Sequence, residues 1–291
     1  MVELVVSKVQ LESVIDPSGP WADHWRMPGS SARFASPRLR RLVGLAALCA
    51  ALFAAPTPAS GQVKVILSGG FTAAYRELLP QFEKETGITV TTTSGGSVGN
   101  GPNTIGGQIR RGVPADVVIL AREGLHDLIA EGRTVPGTDR DLGRSIIGMV
   151  VRAGAPKPDI STVAALRQVL LDAKSVAMSS STSGVYLTTT LFPKLGIAEQ
   201  MAPKTTMQGA VLVGRGEAEI GLQQVSELLP IQGTTFVGTI PQEVQYVTTY
   251  AGAVIASSTQ VDAAKRLIAF LGSEASAAAI VKSGMEPARG K

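Results

Sequence analysis

Apolar and polar positions alternate along the chain in two rhythms. Short runs rich in β-branched residues predict strands: VKVILS (63–68), ITVTTTS (88–94), ADVVILA (115–121), SIIGMVVRAGA (145–155), SVAMSS (175–180), EIGLQQ (219–224), TTFVGTI (234–240) and the long VQYVTTYAGAVIAS (244–257). Between them the apolar positions recur at helical spacing. In FTAAYRELLPQFEKETG (71–87), Phe71, Tyr75, Leu78, Leu79 and Phe82 fall near one face, with a kink expected at Pro80 and a stop at Gly87. Further helices are predicted in NTIGGQIRRG (103–112), EGLHDLIAEG (123–132), TVAALRQVLLDA (162–173), GVYLTTTLFPKLG (184–196), around 208–215 and, as one turn, in SELLP (226–230). Two more close the chain in QVDAAKRLIAFLGSEASAAAIVKSG (260–284). Strands separated by helices define an α/β protein with a mostly parallel sheet. The polar stretch VPGTDRDLGRS (135–145) and EVQYVTTYAGAVI (243–255) are the two candidate crossings between lobes. Residues 62–143 and 251–291 are then expected to build one lobe, and 144–250 the other.

The first 61 residues follow different rules. RFASPRLRR (33–41) is basic, LVGLAALCAALFAA (42–55) is apolar, and PTPASGQ (56–62) is small and helix-breaking. This order reads as a secretory signal with cleavage after Ala59 or Gly61, and the apolar core is short for a membrane span. Residues 1–26 are expected to be a dispensable leader, with Met27 as the true start. The single cysteine, Cys49, lies in the apolar core, so the mature chain has no thiol for disulfides or catalysis. From Gln62 onward there are 21 Lys and Arg against 19 Asp and Glu, a net +2. That balance argues against a nucleic-acid partner.

Four segments at predicted strand ends share glycine, hydroxyl or amide side chains: SGGF (68–71), SGGSVGNG (94–101), SSSTSG (179–184) and QQVS (223–226). Ligands of open α/β sheets sit beyond such strand ends. Glycine admits a ligand close to the backbone, and helix N-termini attract anions. Together the four loops predict a neutral, donor-rich cage for a small oxyanion or carboxylate. Neither glycine loop has the ending of a phosphate-binding P-loop or the dinucleotide spacing. No Cys/His cluster supports a metal site, and no cofactor is expected. GGSVG (95–99) matches the nucleophile-elbow pattern, but its sole histidine partner, His126, belongs on the solvated face of an amphipathic helix. Arg110 and Arg111 are expected to serve a helix C-terminus, and Lys204 is a candidate for approaching an anion in the second lobe.

The stretches VILSGGFTAAYRELLPQFEKETGITV, ADVVILA, IIGMVVRAGAPKPDIST, SSSTSGVYLTTTLFPKLGI, GEAEIGLQQVSELLP and VQYVTTYAGAVI resemble periplasmic substrate-binding proteins of the molybdate-binding type. The resemblance implies a type II periplasmic binding fold: two α/β lobes, each a mostly parallel sheet flanked by helices, with two crossing strands as hinge. It implies a periplasmic monomer that hands a small anion, molybdate, tungstate or an organic acid, to an inner-membrane ABC permease. Carried over, Ser68, Gly69, Gly70, Phe71, Ser97, Val98 and Gly99 bind from the first lobe. Ser181, Ser183, Gly184, Tyr186, Gln223 and Gln224 bind from the second. Two features depart from the molybdate pattern. SGGF replaces a small-residue serine loop, and GLQQVSELLP is typical of a divergent branch that also resembles aconitate isomerase. On that alternative, Glu227 is the best-placed carboxylate for a general base, although a residue there also suits a helix N-terminus. Capture without turnover is the leading expectation.

Overall fold

The computed structural model describes residues 61–288. The leader, the Met27 start, the signal segment and Cys49 lie outside the described residues. Among the described residues no helix is long and apolar enough to cross a membrane.

Among the described residues eight strands form one continuous path that divides into two halves, and two further strands pair with one strand of that path. In the first, β1 (Gln62–Leu67) lies between β2 (Thr89–Ser94) and β3 (Val117–Ala121), all parallel. β3 is antiparallel to β9 (Val247–Val254). In the second half, β5 (Val176–Met178) lies between β6 (Thr205–Thr206) and β7 (Ile220–Gln224), again parallel. β4 (Arg140–Arg152) threads both halves. Its first part pairs with β9 from Arg140 to Ile146, and its second pairs with β7 and β8 (Thr234–Thr239) from Ile147 onward. β10 (Glu286–Pro287) adds a short antiparallel pairing at Gly143 and Arg144.

The expected polar connection at 135–145 is therefore partly strand. β4 begins at Arg140, earlier than its apolar run, because backbone pairing with β9 requires no apolar side chain. Asp141 and Arg144 stay exposed while Leu142 and Ser145 turn inward. Elsewhere the rhythm translates directly. The helix Thr72–Thr86 buries Ala74, Tyr75, Leu78 and Phe82, and ends where Gly87 takes φ 68°. It runs through Pro80 without interruption as a helix. Its Phe82 ring meets Phe270 of the helix Val261–Leu271 at 5.5 Å. β3 is buried along its whole length, as expected for a strand covered on both faces.

Each half encloses its own apolar clusters. Phe71, Tyr75, Phe82, Ile119, Tyr250 and Leu267 pack within the first lobe. Met149, Leu166, Met178, Leu191, Phe192 and Leu222 pack within the second. The expected helix at 184–196 starts two residues earlier, at Thr182, and includes a π-helical segment over Leu187–Leu191. The Thr188 and Thr189 hydroxyls donate to carbonyls of Gly184 and Val185, a competition with the helical ladder that accompanies its widening.

Lys204 is not free to approach an anion. Its ammonium donates to the carbonyls of Leu170, Leu171 and Ala173 at 2.8, 2.6 and 2.8 Å, closing the end of the helix Val163–Asp172. Lys204→Met is expected to destabilise the protein by about 1.5–3 kcal/mol, the value of charge-assisted hydrogen bonds. Urea unfolding measures this, and an unchanged midpoint would contradict the assignment.

Candidate functional site

The loops that leave β1, β2, β5 and β7 converge where the two halves face each other. Ser68 follows β1 and is fixed by its N–H, which donates to Ile119 O at 2.8 Å. The Ser97 hydroxyl donates to Ser68 Oγ at 2.6 Å and accepts from the Ala121 N–H at 3.0 Å. Both serines are buried. Across the cleft, the Ser97 N–H donates to Ser181 Oγ at 3.2 Å, so the two lobes touch through their hydroxyl loops. Ser183 is buried beside Ser179, with its hydroxyl 3.2 Å from that of Ser179.

Two glycines let the loops close this tightly. A Cβ at Gly184 would lie 1.8 Å from the Ser179 carbonyl oxygen, and one at Gly124 would lie 1.9 Å from the Ser97 carbonyl oxygen. In each lobe a helical glycine thus receives the backbone of a hydroxyl loop. Ser97→Ala leaves the Ala121 N–H without its partner and is expected to cost about 1–3 kcal/mol of stability. Chemical denaturation of the ligand-free protein checks this; wild-type stability would show that the Ser68–Ser97–Ala121 chain is not structural.

The acidic wall comes from the second lobe. Glu227 lies in the first turn of the helix Val225–Leu228, and its carboxyl reaches across to the first-lobe loop. A Cβ on Gly69 would sit 2.5 Å from Glu227 Oε1. The residue is partly exposed, and protein atoms crowd its carboxyl. Burial raises its pKa from 4.5 to about 7, and a hydrogen bond with Gln223 acts in the opposite direction. Gln223 is held in turn by the Ala210 N–H, which donates to its Oε1 at 2.9 Å. Tyr250, on β9, is buried in the first-lobe core, but its hydroxyl meets the same loop: a Cβ on Gly70 would lie 1.8 Å from it. Burial, then the charge of Glu227, raises the Tyr250 phenol well above its ordinary value. The pair Gly69–Gly70 is therefore the strip of bare backbone on which a carboxyl and a phenol both rest.

Beside Gly69 opens a cavity of about 570 Å³, also lined by Ser94, Gly95, Asn103, Gln108 and Arg111. Arg111 is exposed, and its guanidinium donates to Pro102 O at 2.6 Å. A bridge between the lobes lies elsewhere along the cleft, where the Tyr246 hydroxyl donates to Glu123 Oε1.

Among the residues expected at the site, Ser68, Gly69, Gly70, Ser97, Ser181, Ser183, Gly184 and Gln223 are brought together. Others are placed differently. Phe71 is fully buried in the first-lobe core. Val98 is half-buried, and Gly99 is exposed with φ 92° and its carbonyl accepts from the Thr104 hydroxyl. The Tyr186 hydroxyl donates to Val244 O at 2.8 Å, and its ring stacks on Tyr246 at 4.8 Å. Gln224 points away from Gln223, because neighbouring strand residues face opposite ways, and it donates to Thr248 Oγ1 at 2.6 Å. Tyr250 was missed. Its apolar surroundings in the strand mark it as core, and no local pattern says that its hydroxyl emerges at the SGGF loop. His126 is exposed, as expected, and lies away from the GGSVG loop on the wall of a cavity with Arg122, Asp139 and Lys265.

Residues 63–286 match the family described as bacterial extracellular solute-binding protein. The fold is that of the two-lobed type II periplasmic binding proteins, and the chain belongs to this solute-binding family. Within it, the chain is 42% identical over 227 residues to a protein of Pseudomonas sp. named aconitate isomerase, covering 77% of this chain and 87% of that one. It is 26% identical over 205 residues to the molybdate-binding protein ModA of Escherichia coli strain K12, covering 67% of this chain and 77% of that one. Among solved structures, the periplasmic molybdate-binding protein of Azotobacter vinelandii superposes with a TM-score of 0.61 at 21% identity, covering 78% of this chain and all of that one.

Proposed function

We propose that this protein is a periplasmic isomerase that moves a double bond within a small polycarboxylate, interconverting trans- and cis-aconitate, with Glu227 as the general base. The observation that carries this reading is the position of the Glu227 carboxyl, set against Gly69 at the meeting point of the loops, where burial pushes its pKa up to about 7. A base is most effective when its pKa lies near the working pH. The relative named aconitate isomerase, at 42% identity, supports the same reading.

In the reaction Glu227 takes a proton from the methylene carbon of the substrate. The electron pair spreads through the double bond onto the adjoining carboxylate, and a proton returns at the carbon that was vinylic. The Ser68 hydroxyl, held in place by the bond it accepts from Ser97, and the N–H groups of Gly69 and Gly70 hold carboxylate oxygens without adding charge. Arg111, on the wall of the cavity beside Gly69, supplies the cation for a remote carboxylate. Approach of an anionic substrate pushes the Glu227 pKa further up and strengthens it as a base.

The buried serine pair Ser68 and Ser97, with Ser181 opposite, supports a second reading, capture of a molybdate-like oxyanion for an inner-membrane ABC permease. An ionised Glu227 opposes that ligand, which places capture second here although the sequence alone puts it first. Incubation with trans-aconitate, followed by proton NMR, separates the two. Isomerisation requires appearance of the cis isomer, whereas thermal stabilisation by molybdate without any conversion favours capture.

A further inference from the structure

We propose that Tyr250 is the second proton carrier of this site, returning a proton to the substrate on the carbon opposite the one that Glu227 deprotonates. The inference rests on the reading of Glu227 as the base. Its geometric basis is the adjoining glycines: Glu227 closes on Gly69 from the second lobe, and the Tyr250 hydroxyl closes on Gly70 from β9. A substrate lying along this strip has a carboxyl and a phenol at successive backbone positions. The other titratable hydroxyls nearby are engaged. Tyr186 donates to Val244 O and Tyr246 to Glu123. The Ser97 hydroxyl donates to Ser68. His126 lies on an exposed helix face.

The proton count closes within the pair. Glu227 breaks the methylene C–H bond and becomes neutral. Tyr250 gives its hydroxyl proton to the formerly vinylic carbon, forming the new C–H bond, and is left as phenolate. Neutral Glu227 then passes its proton to the Tyr250 oxygen, which restores both groups without an external donor. Burial of the phenol disfavours a lasting phenolate and drives the return step.

A single turnover with enzyme in excess, using trans-aconitate deuterated at the methylene carbon, tests the assignment in the unaltered protein. Two carriers predict cis-aconitate with protium in the new C–H bond; deuterium delivered there would mean that Glu227 moves the proton alone and would overturn the proposal. Tyr250→Phe gives an independent check in deuterated water. Isomerisation should fall by about 100-fold or more while Glu227 still exchanges solvent deuterium into the methylene position. Isomerisation near the wild-type rate in Tyr250→Phe also overturns it. Wild-type protein that converts no aconitate at all rejects the isomerase reading itself, an outcome distinct from either.

Discussion

Glu227→Gln is expected to lower aconitate isomerisation by about 100-fold or more while leaving the fold intact. Glutamine keeps the shape of the side chain and a partner for Gln223, but it cannot accept a proton. The same substitution has a signature that needs no substrate. In the folded protein the Glu227 pKa is raised from 4.5 to about 7, so the native state holds this proton more tightly than the unfolded chain does. The stability it contributes is complete below about pH 4.5 and is lost as pH rises through about 7. Denaturation across that window should show stability falling with pH in the wild type and a flatter profile in Glu227→Gln. The rate should rise over the same range, as the carboxyl ionises into a competent base. Retention of the wild-type pH slope in the variant would place its origin in other groups and remove the case for an unusual Glu227.

Gly184→Ala should damage fold and site together. The added methyl would lie 1.8 Å from the Ser179 carbonyl and 2.8 Å from Met207 Cε. The methionine end can swing away, but the carbonyl is backbone and can move only with its loop. Overpacking of this kind costs about 1–3 kcal/mol. The displaced segment carries Ser179, Ser181 and Ser183, so substrate binding should weaken together with stability. Gly196→Ala is the control. Gly196 has φ 64° with nothing within 4 Å of an added Cβ, so it meets only backbone strain and should lose stability with little effect on binding. Calorimetric unfolding and ligand titration of both variants decide the matter. Equal effects on binding would show that the Gly184 contact does not shape the site.

The lobes, the loops and one side chain differ in how far they can be read from sequence. β3 is visible because five buried residues in a row fit a strand covered on both faces. The helix Thr72–Thr86 is visible because its apolar spacing and Gly87 agree. The start of β4 is not, since Arg140 and Asp141 join the strand through backbone pairing with β9 rather than through any apolar pattern. The hydroxyl loops are recognisable by composition, and most of their residues do meet. Within a loop, orientation is harder. Strand alternation alone separates Gln223 from Gln224, but burial of Phe71 and diversion of Tyr186 to Val244 depend on distant neighbours. Glu227 is recognisable as a carboxylate near the site, while its raised pKa comes from burial against Gly69, more than 150 residues earlier in the chain. Tyr250 is the extreme case: its ring belongs to the core, and only the tertiary fold brings its hydroxyl to Gly70.

Whether the cleft converts its ligand as well as holding it is decided by time-resolved proton NMR of trans-aconitate with purified wild-type protein, alongside Glu227→Gln. Catalytic accumulation of cis-aconitate is expected with the wild type, and its near-absence with the variant. Unchanged trans-aconitate in both samples, with a thermal shift produced by molybdate, would contradict conversion.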